Sequence, residues 1–255
     1  MANTTTADDF CAGSRAALRG GTTTVIDFAC PNKGESLHHG LDLWHQKADG
    51  RTFCDYGFHM TIDDWNEGIE GELDDMFAAG ITSFKMYLTY PAMMIGDGAV
   101  YSALKALKKR GGIAGVHCEN AGVIDACIAE LMAAGRAADV SAHPEARPDY
   151  LEAEAVARLL RIAEAADAPV IIVHLTNREA LDEVAFARAR GQRVYVETCP
   201  QYLALDDGVY YDANWSMAAR YVCAPPIRAE ENQRALWRGL RRGEIPVSYT
   251  HLRAH

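Results

Sequence analysis

Hydrophobic residues along this chain cluster in two alternating ways. Short apolar runs at Thr23 to Phe28, Cys54 to Met60, Thr82 to Tyr87, Ile113 to His117, Pro169 to His174 and Arg193 to Glu197 have strand length and read as six buried parallel strands. Between them apolar positions recur at one-face helical spacing, as in Val123, Ile124, Cys127, Ile128, Leu131 and Met132, and again in Leu151, Ala155, Leu159, Ile162 and Ala163. Asn120 and Asn177 stand where helix N-caps are wanted, and Gly191 stands where a helix should stop. Strand and helix in alternation predict an α/β fold with a parallel sheet. Ser141 to Asp149, with Pro144 and Pro148, reads as the clearest long loop. No repeat, low-complexity segment or domain boundary is legible.

Three of these runs end on residues with chemistry: Lys85 in Ser83-Phe84-Lys85-Met86-Tyr87, His117 in Val116-His117-Cys118-Glu119-Asn120, and His174 in Val173-His174-Leu175-Thr176-Asn177. Residues at the C-terminal ends of barrel strands point into the mouth where the loops converge, and neutral imidazole is a common zinc ligand. An ammonium cannot ligate a cation, but lysine that has reacted with carbon dioxide is an anionic carbamate whose two oxygens can bridge two metals. A lysine among such histidines points to a binuclear hydrolase.

Further ordered motifs give this reading a family. Phe84-Lys85-Met86-Tyr87 with Tyr90, His117-Cys118-Glu119-Asn120, His174-Leu175-Thr176, Glu197-Thr198-Cys199-Pro200-Gln201-Tyr202-Leu203 and Cys223-Ala224-Pro225-Pro226-Ile227-Arg228 follow one another along the chain. Together they resemble the dihydropyrimidinase and D-hydantoinase branch of the cyclic amidohydrolases, from about Asp8 to Ile245. The resemblance implies a TIM-like (β/α)8 barrel of the metal-dependent amidohydrolase type, with six of its eight strands in this chain.

By the same resemblance Lys85, carboxylated by carbon dioxide, bridges two zinc ions, while His117 and His174 complete the second ion. The hydroxyl of Tyr90 faces the developing oxyanion, and the backbone at Ala224 holds the ring's amide and carbonyl groups. The implied reaction opens a cyclic amide, a dihydropyrimidine or hydantoin, at its C–N bond by a metal-activated hydroxide. Family members also carry a His-x-His pair on a first strand and an aspartate on a last one, and neither motif occurs here. Residues 1–246 therefore read as an incomplete barrel, a fragment binding at most one zinc weakly and inactive by itself. Residues 247–255 depart from the family, and His251 and His255 read as part of an extraneous tail. The incomplete barrel should expose unpaired strand edges near Val25 and Val196.

Composition narrows the partners. A net charge of -10, from 25 basic and 35 acidic residues, excludes the basic face that nucleic acid requires, so a small molecule is the expected partner. No secretory leader or long apolar span is present, which argues against a membrane. Seven cysteines without a Cys-x-x-Cys pair fit reduced thiols in a cytoplasm, and Cys30, Cys118, Cys199 and Cys223 read as packing residues before metal ligands. His59 reads as a core histidine or as one behind the ligands. Glu119 either orients His117 or caps a helix. The resemblance further implies a homo-oligomer, a tetramer when complete. Two alternatives stay open: an allantoinase-like or dihydroorotase-like hydrolase, and a non-catalytic dihydropyrimidinase-related scaffold.

Overall fold

Strands and helices do alternate through the protein, whose computed structural model describes residues 8–248. The strands are β1 (Thr24–Ala29), β2 (Asp55–Thr61), β3 (Ser83–Tyr87), β4 (Ile113–His117), β5 (Val170–Ile172), β6 (Val194–Thr198) and β7 (Val247–Ser248). The pairings of β1 with β2, β2 with β3, β5 with β6 and β6 with β7 are all parallel, and helices fill the crossovers, as parallel neighbours require. The chain divides into two compact units, one ending at Gly115 and the other beginning at Val116. The expected partial barrel is thus present as two runs of β/α units.

In the first unit the register carries Thr24 opposite Asp55 through Ala29 opposite Met60, then Thr61 opposite Lys85. The amide of Ile113 donates to the carbonyl of Thr82 at 3.2 Å, which attaches the start of β4. Leu73, Met76, Phe84, Leu104 and Leu107 are buried between strands and helices, with Phe77 stacked on Phe84 at 5.8 Å. Each such side chain contributes roughly 1.5–3 kcal/mol through burial.

In the second unit the amide of Val173 donates to Val116 at 3.4 Å, and β5 pairs with β6 from Val170 opposite Val194 to Ile172 opposite Val196. The helices Asp149–Ala166 and Arg178–Ala189 bury Val156, Leu159, Leu160 and Val184. Both expected N-caps form: Asn120 accepts from the amide of Val123 at 3.1 Å and Asn177 from that of Ala180 at 2.9 Å. These caps begin their helices directly after β4 and β5, so the chain turns sharply at His117 and His174. Gly191, at φ 90°, takes the left-handed turn that ends the helix before it.

Three expectations need correction. Strand β5 stops at Ile172 because His174 adopts φ 43°, which is incompatible with extended backbone. The stretch Ser141 to Asp149 holds a short helix, Ala142–Ala146, in which Pro144 occupies the first turn where its missing N–H costs nothing. The strand near Val196 is not left as an unpaired edge, because β7 adds Val247 opposite Glu197 and Ser248 opposite Thr198. A two-residue strand is too short to leave an alternating pattern in sequence. The tail histidines His251 and His255 lie outside the described residues. Among the described residues no helix is long and apolar enough to cross a membrane.

Gly112 permits the close approach that seats β4 in the first unit. A Cβ there would lie 2.5 Å from Cζ of Phe77 and 3.2 Å from the carbonyl oxygen of Thr82. Gly112→Ala is expected to lower stability by about 1–3 kcal/mol, the usual cost of forcing extra volume into packed structure. Urea unfolding measures it, and a midpoint equal to the parent's would show that Phe77 moves aside without penalty.

Candidate functional site

In the second unit the two histidines meet. His117 is the last residue of β4, 2% exposed, and His174 follows β5 by two residues, 5% exposed. Their rings lie 4.5 Å apart at 71°. Nε2 of His117 is 2.6 Å from Oε2 of Glu119, which also accepts from Nη1 of Arg147 at 2.8 Å. Burial works to raise the Glu119 carboxyl, but the hydrogen bond from His117 and the charges of His117 and Arg147 reverse this and bring it down to about 2. The ambiguity over Glu119 resolves as contact with His117, while Asn120 does the capping.

A second buried group holds the His174 loop. Glu152, 2% exposed, accepts from the amide of Thr176 at 2.9 Å, the hydroxyl of Thr176, Nδ2 of Asn177 at 2.9 Å and Nη2 of Arg228 at 3.1 Å. Burial pushes the Glu152 carboxyl up, opposed by the Arg228 charge and the Thr176 hydrogen bonds. Three of these donors meet Oε2 and one meets Oε1, a set that favours the carboxylate form against burial. Arg228 also donates Nε to Oγ1 of Thr176 at 2.9 Å and Nη1 to the carbonyl of Arg147, which joins the two carboxylates through their arginines.

Ala224 precedes a cis peptide bond to Pro225. Its segment is pinned by Nε2 of His143, 2.7 Å from the carbonyl of Cys223, and by the hydroxyl of Tyr202, which donates to the carbonyl of Pro225 at 2.7 Å. Burial lowers the His143 pKa, so the neutral ring can donate through Nε2.

Lys85 and Tyr90 belong to the first unit. Lys85 is 3% exposed on β3, its Nζ 4.9 Å from the ring centre of Tyr87 and 5.7 Å from that of Phe28. Tyr90 lies in the turn after β3 at φ 69°, its carbonyl accepting from the amides of Met93 and Met94, both at 2.8 Å, and its ring 6.2 Å from that of Tyr87. His59 faces Ser83 through Nδ1 and Phe28 at 5.2 Å, and burial followed by the Lys85 charge lowers its pKa. Asp63, 4% exposed, lies just beyond β2.

Backbone strain marks the same positions. Among the described residues Tyr90, Asp167 and His174 are the non-glycine residues at positive φ. Asp167 ends the helix Asp149–Ala166, a common place for that conformation. Tyr90 and His174 have no such excuse. A left-handed non-glycine residue costs on the order of 1–3 kcal/mol and is typically retained where it aims a functional group.

As a metal centre, the pair His117 and His174 has the right donor chemistry: buried imidazole nitrogens, one ring hydrogen-bonded to a carboxylate. Two donors fall short of the three protein ligands of catalytic zinc, and among the described residues no group of three or more His, Cys, Asp or Glu gathers to hold a metal. The cysteines add none. No disulfide forms, and burial pushes the Cys30 and Cys223 thiols up, away from the thiolate that metals need. Sequence reasoning missed Arg147, Glu152 and His143. Only Glu152 left a signal, as a carboxylate within the apolar face of its helix.

No protein-family model matches the chain. It is 42% identical over 245 residues to the D-hydantoinase of Streptomyces coelicolor, a match spanning 96% of this chain and 52% of that protein. It is also 42% identical over 246 residues to a D-phenylhydantoinase of Escherichia coli, spanning 95% of this chain and 52% of that one. The solved dihydropyrimidinase of Brevibacillus agri superposes with a TM-score of 0.95 at 37% identity, over 97% of this chain and 54% of that chain. The chain therefore spans about half the length of the relatives it matches.

The first unit makes a pH prediction. Burial lifts the Asp63 carboxyl from 3.8 to about 6, opposed by its own backbone amide and by the Lys33 charge and reinforced by Asp64. A raised folded-state value means that this stability is fully present below pH 3.8 and lost as pH rises through about 6. Asp63→Asn, which cannot ionise, should stabilise the protein at pH 7.5 by at most about 3 kcal/mol and leave it nearly unchanged at pH 3.5. Urea midpoints at the two pH values test this, and equal gains at both would assign the effect to packing.

Proposed function

We propose that this chain, 42% identical to a D-hydantoinase over 96% of its own length, belongs over that stretch to the dihydropyrimidinase and D-hydantoinase family of cyclic amidohydrolases and carries the Lys85, His117 and His174 part of a metal-dependent hydrolase that opens cyclic amides at the C–N bond. The meeting of the His117 and His174 rings at 4.5 Å, both buried, is the observation that carries this reading. The substrates are small ring ureides or imides such as dihydropyrimidines and hydantoins. The whole enzyme works as a homo-oligomer in the cytoplasm.

In this reading His117 and His174 would hold zinc through ring nitrogens, and Lys85, once carboxylated by carbon dioxide, would add carbamate oxygens. The neutral form of an amine is the one that adds carbon dioxide. Zinc, when bound, supplies a hydroxide at neutral pH and polarises the scissile carbonyl. Tyr90 supplies an O–H to the oxygen on which charge develops, from a turn made in the left-handed backbone region. The main chain at Ala224, pinned on both sides by His143 and Tyr202, hydrogen-bonds the substrate ring.

Two imidazoles and one lysine are a sparse ligand set, so the 255-residue chain should take up at most one zinc ion, weakly, and show little hydrolysis by itself. Metal content after equilibrium dialysis tests the ligands: His117→Ala or His174→Ala should abolish whatever zinc the parent retains. Retention in both variants would remove the site.

Catalysis is tested after joining the chain to the remaining half of the Streptomyces coelicolor relative. There Tyr90→Phe should lower kcat for hydantoin about 100- to 1,000-fold with little change in KM, since an oxyanion donor acts chiefly in the transition state. An unchanged kcat would reduce Tyr90 to a packing residue.

A further inference from the structure

We propose that Glu119, locked by Arg147, is a positioning residue that fixes the tautomer and ring angle of His117. The contact of 2.6 Å is between Nε2 of His117 and Oε2 of Glu119. A carboxylate is an acceptor only, so the neutral imidazole must carry its proton on Nε2, which makes Nδ1 the lone-pair nitrogen. A neutral histidine in water can hold its proton on either nitrogen. Here one site is chosen by a buried charge.

Glu119 is itself held. Nη1 of Arg147 donates to the same Oε2 at 2.8 Å, with the two side chains 10% and 1% exposed. The carbonyl of Arg147 accepts from Arg228, whose other nitrogens bind Glu152 and Thr176. Arg147 is thus tied at both its guanidinium and its backbone, and Glu152 extends the same tie to the loop carrying His174. The cluster holds two carboxylates and two guanidinium groups, so its buried charges balance. An imidazole held this way can turn neither about its Cβ–Cγ bond nor between tautomers without depriving the buried Glu119 carboxylate of a donor.

Oε1 of Glu119 provides a handle on the mechanism. It is buried and has no hydrogen-bond partner among the described residues. Glu119→Gln can therefore keep a carbonyl oxygen in the Oε2 position and turn its amide nitrogen toward the side where Oε1 makes no bond. The acceptor survives and the charge is lost. Glu119→Leu removes both.

The function of this device rests on the reading of His117 as a metal ligand, since a ligating histidine commonly directs its other N–H to a carboxylate, and loss of such a partner costs about 10- to 100-fold in metal affinity. The tautomer itself does not depend on metal. The test is long-range ¹H–¹⁵N correlation on the metal-free chain, labelled at histidine and assigned with His117→Ala, at a pH where the ring is neutral. The parent should show the Nε2–H form of His117 alone. Glu119→Gln should keep that form with a less deshielded proton, and Glu119→Leu should populate both tautomers. Cobalt(II) titration should then find affinity weakened 10- to 100-fold in Glu119→Leu and substantially restored in Glu119→Gln.

An Nδ1–H parent overturns the proposal whether or not any variant folds. So does a Glu119→Leu protein with the parent's tautomer ratio, or one that binds cobalt as tightly as the parent. If the parent shows the Nε2–H form but takes up no cobalt, the ligand role of His117 falls while the control of its tautomer by Glu119 stands.

Discussion

Burying a carboxylate among apolar side chains is tolerable only when donors fill its lone pairs, and the second unit is organised around that constraint. Glu119 and Glu152 are 1% and 2% exposed, each matched to an arginine that is itself nearly buried. Unpaired, either charge would cost several kcal/mol, and removing one partner of such a pair is commonly destabilising by about 3–5 kcal/mol. Apolar replacements of equal volume are often as stable as a buried ion pair, so stability alone does not account for two of them here. Direction does: each pair aims polar atoms at a histidine or at the loop that carries one.

The strands supply coarse placement and the ion pairs refine it. In the second unit the parallel β/α arrangement brings strand ends to one side of the sheet, and Asn120 and Asn177 start helices soon after, so His117 and His174 stand on short, sharp turns. At His174 the turn is made in the left-handed region, at φ 43°. The strain is held by Glu152, which captures the amide and hydroxyl of Thr176 two residues later, and Asn177 after it. Asn177 thereby serves two purposes, its Oδ1 capping the helix and its Nδ2 bonding the carboxylate. At Tyr90 the amides of Met93 and Met94 bond the carbonyl of the strained residue itself.

Period and position made much of this readable from sequence. Six strands, the helices over residues 123–132 and 151–163, and two caps all follow from local patterns of apolar and capping residues, because burial on one face imposes a period that the chain must display. Lys85, His117 and His174 were visible because polar residues that end apolar strands stand out. Arg147 and His143 were not, and Arg228 stood in its motif without a role. Their partners lie 28 to 81 positions away, and a long-range ion pair imposes no period on the sequence around it. Strand β7 escaped for a different reason, having only two residues and borrowing its regularity from β6.

The two carboxylates also differ in a way that follows from their donors. Glu152 spreads its contacts over both oxygens and four donors, and burial still pushes its pKa up. Glu119 gathers His117 and Arg147 on one oxygen and is held near 2. A carboxylate with donors on both oxygens is a structural tie, because each oxygen holds backbone or side chains in place. One that directs its charge through a single oxygen to an imidazole polarises that ring, raising the electron density available at the opposite nitrogen. The same residue type, equally buried in the same unit, therefore serves two ends: Glu152 fixes where the His174 loop lies, and Glu119 fixes how the His117 ring presents itself.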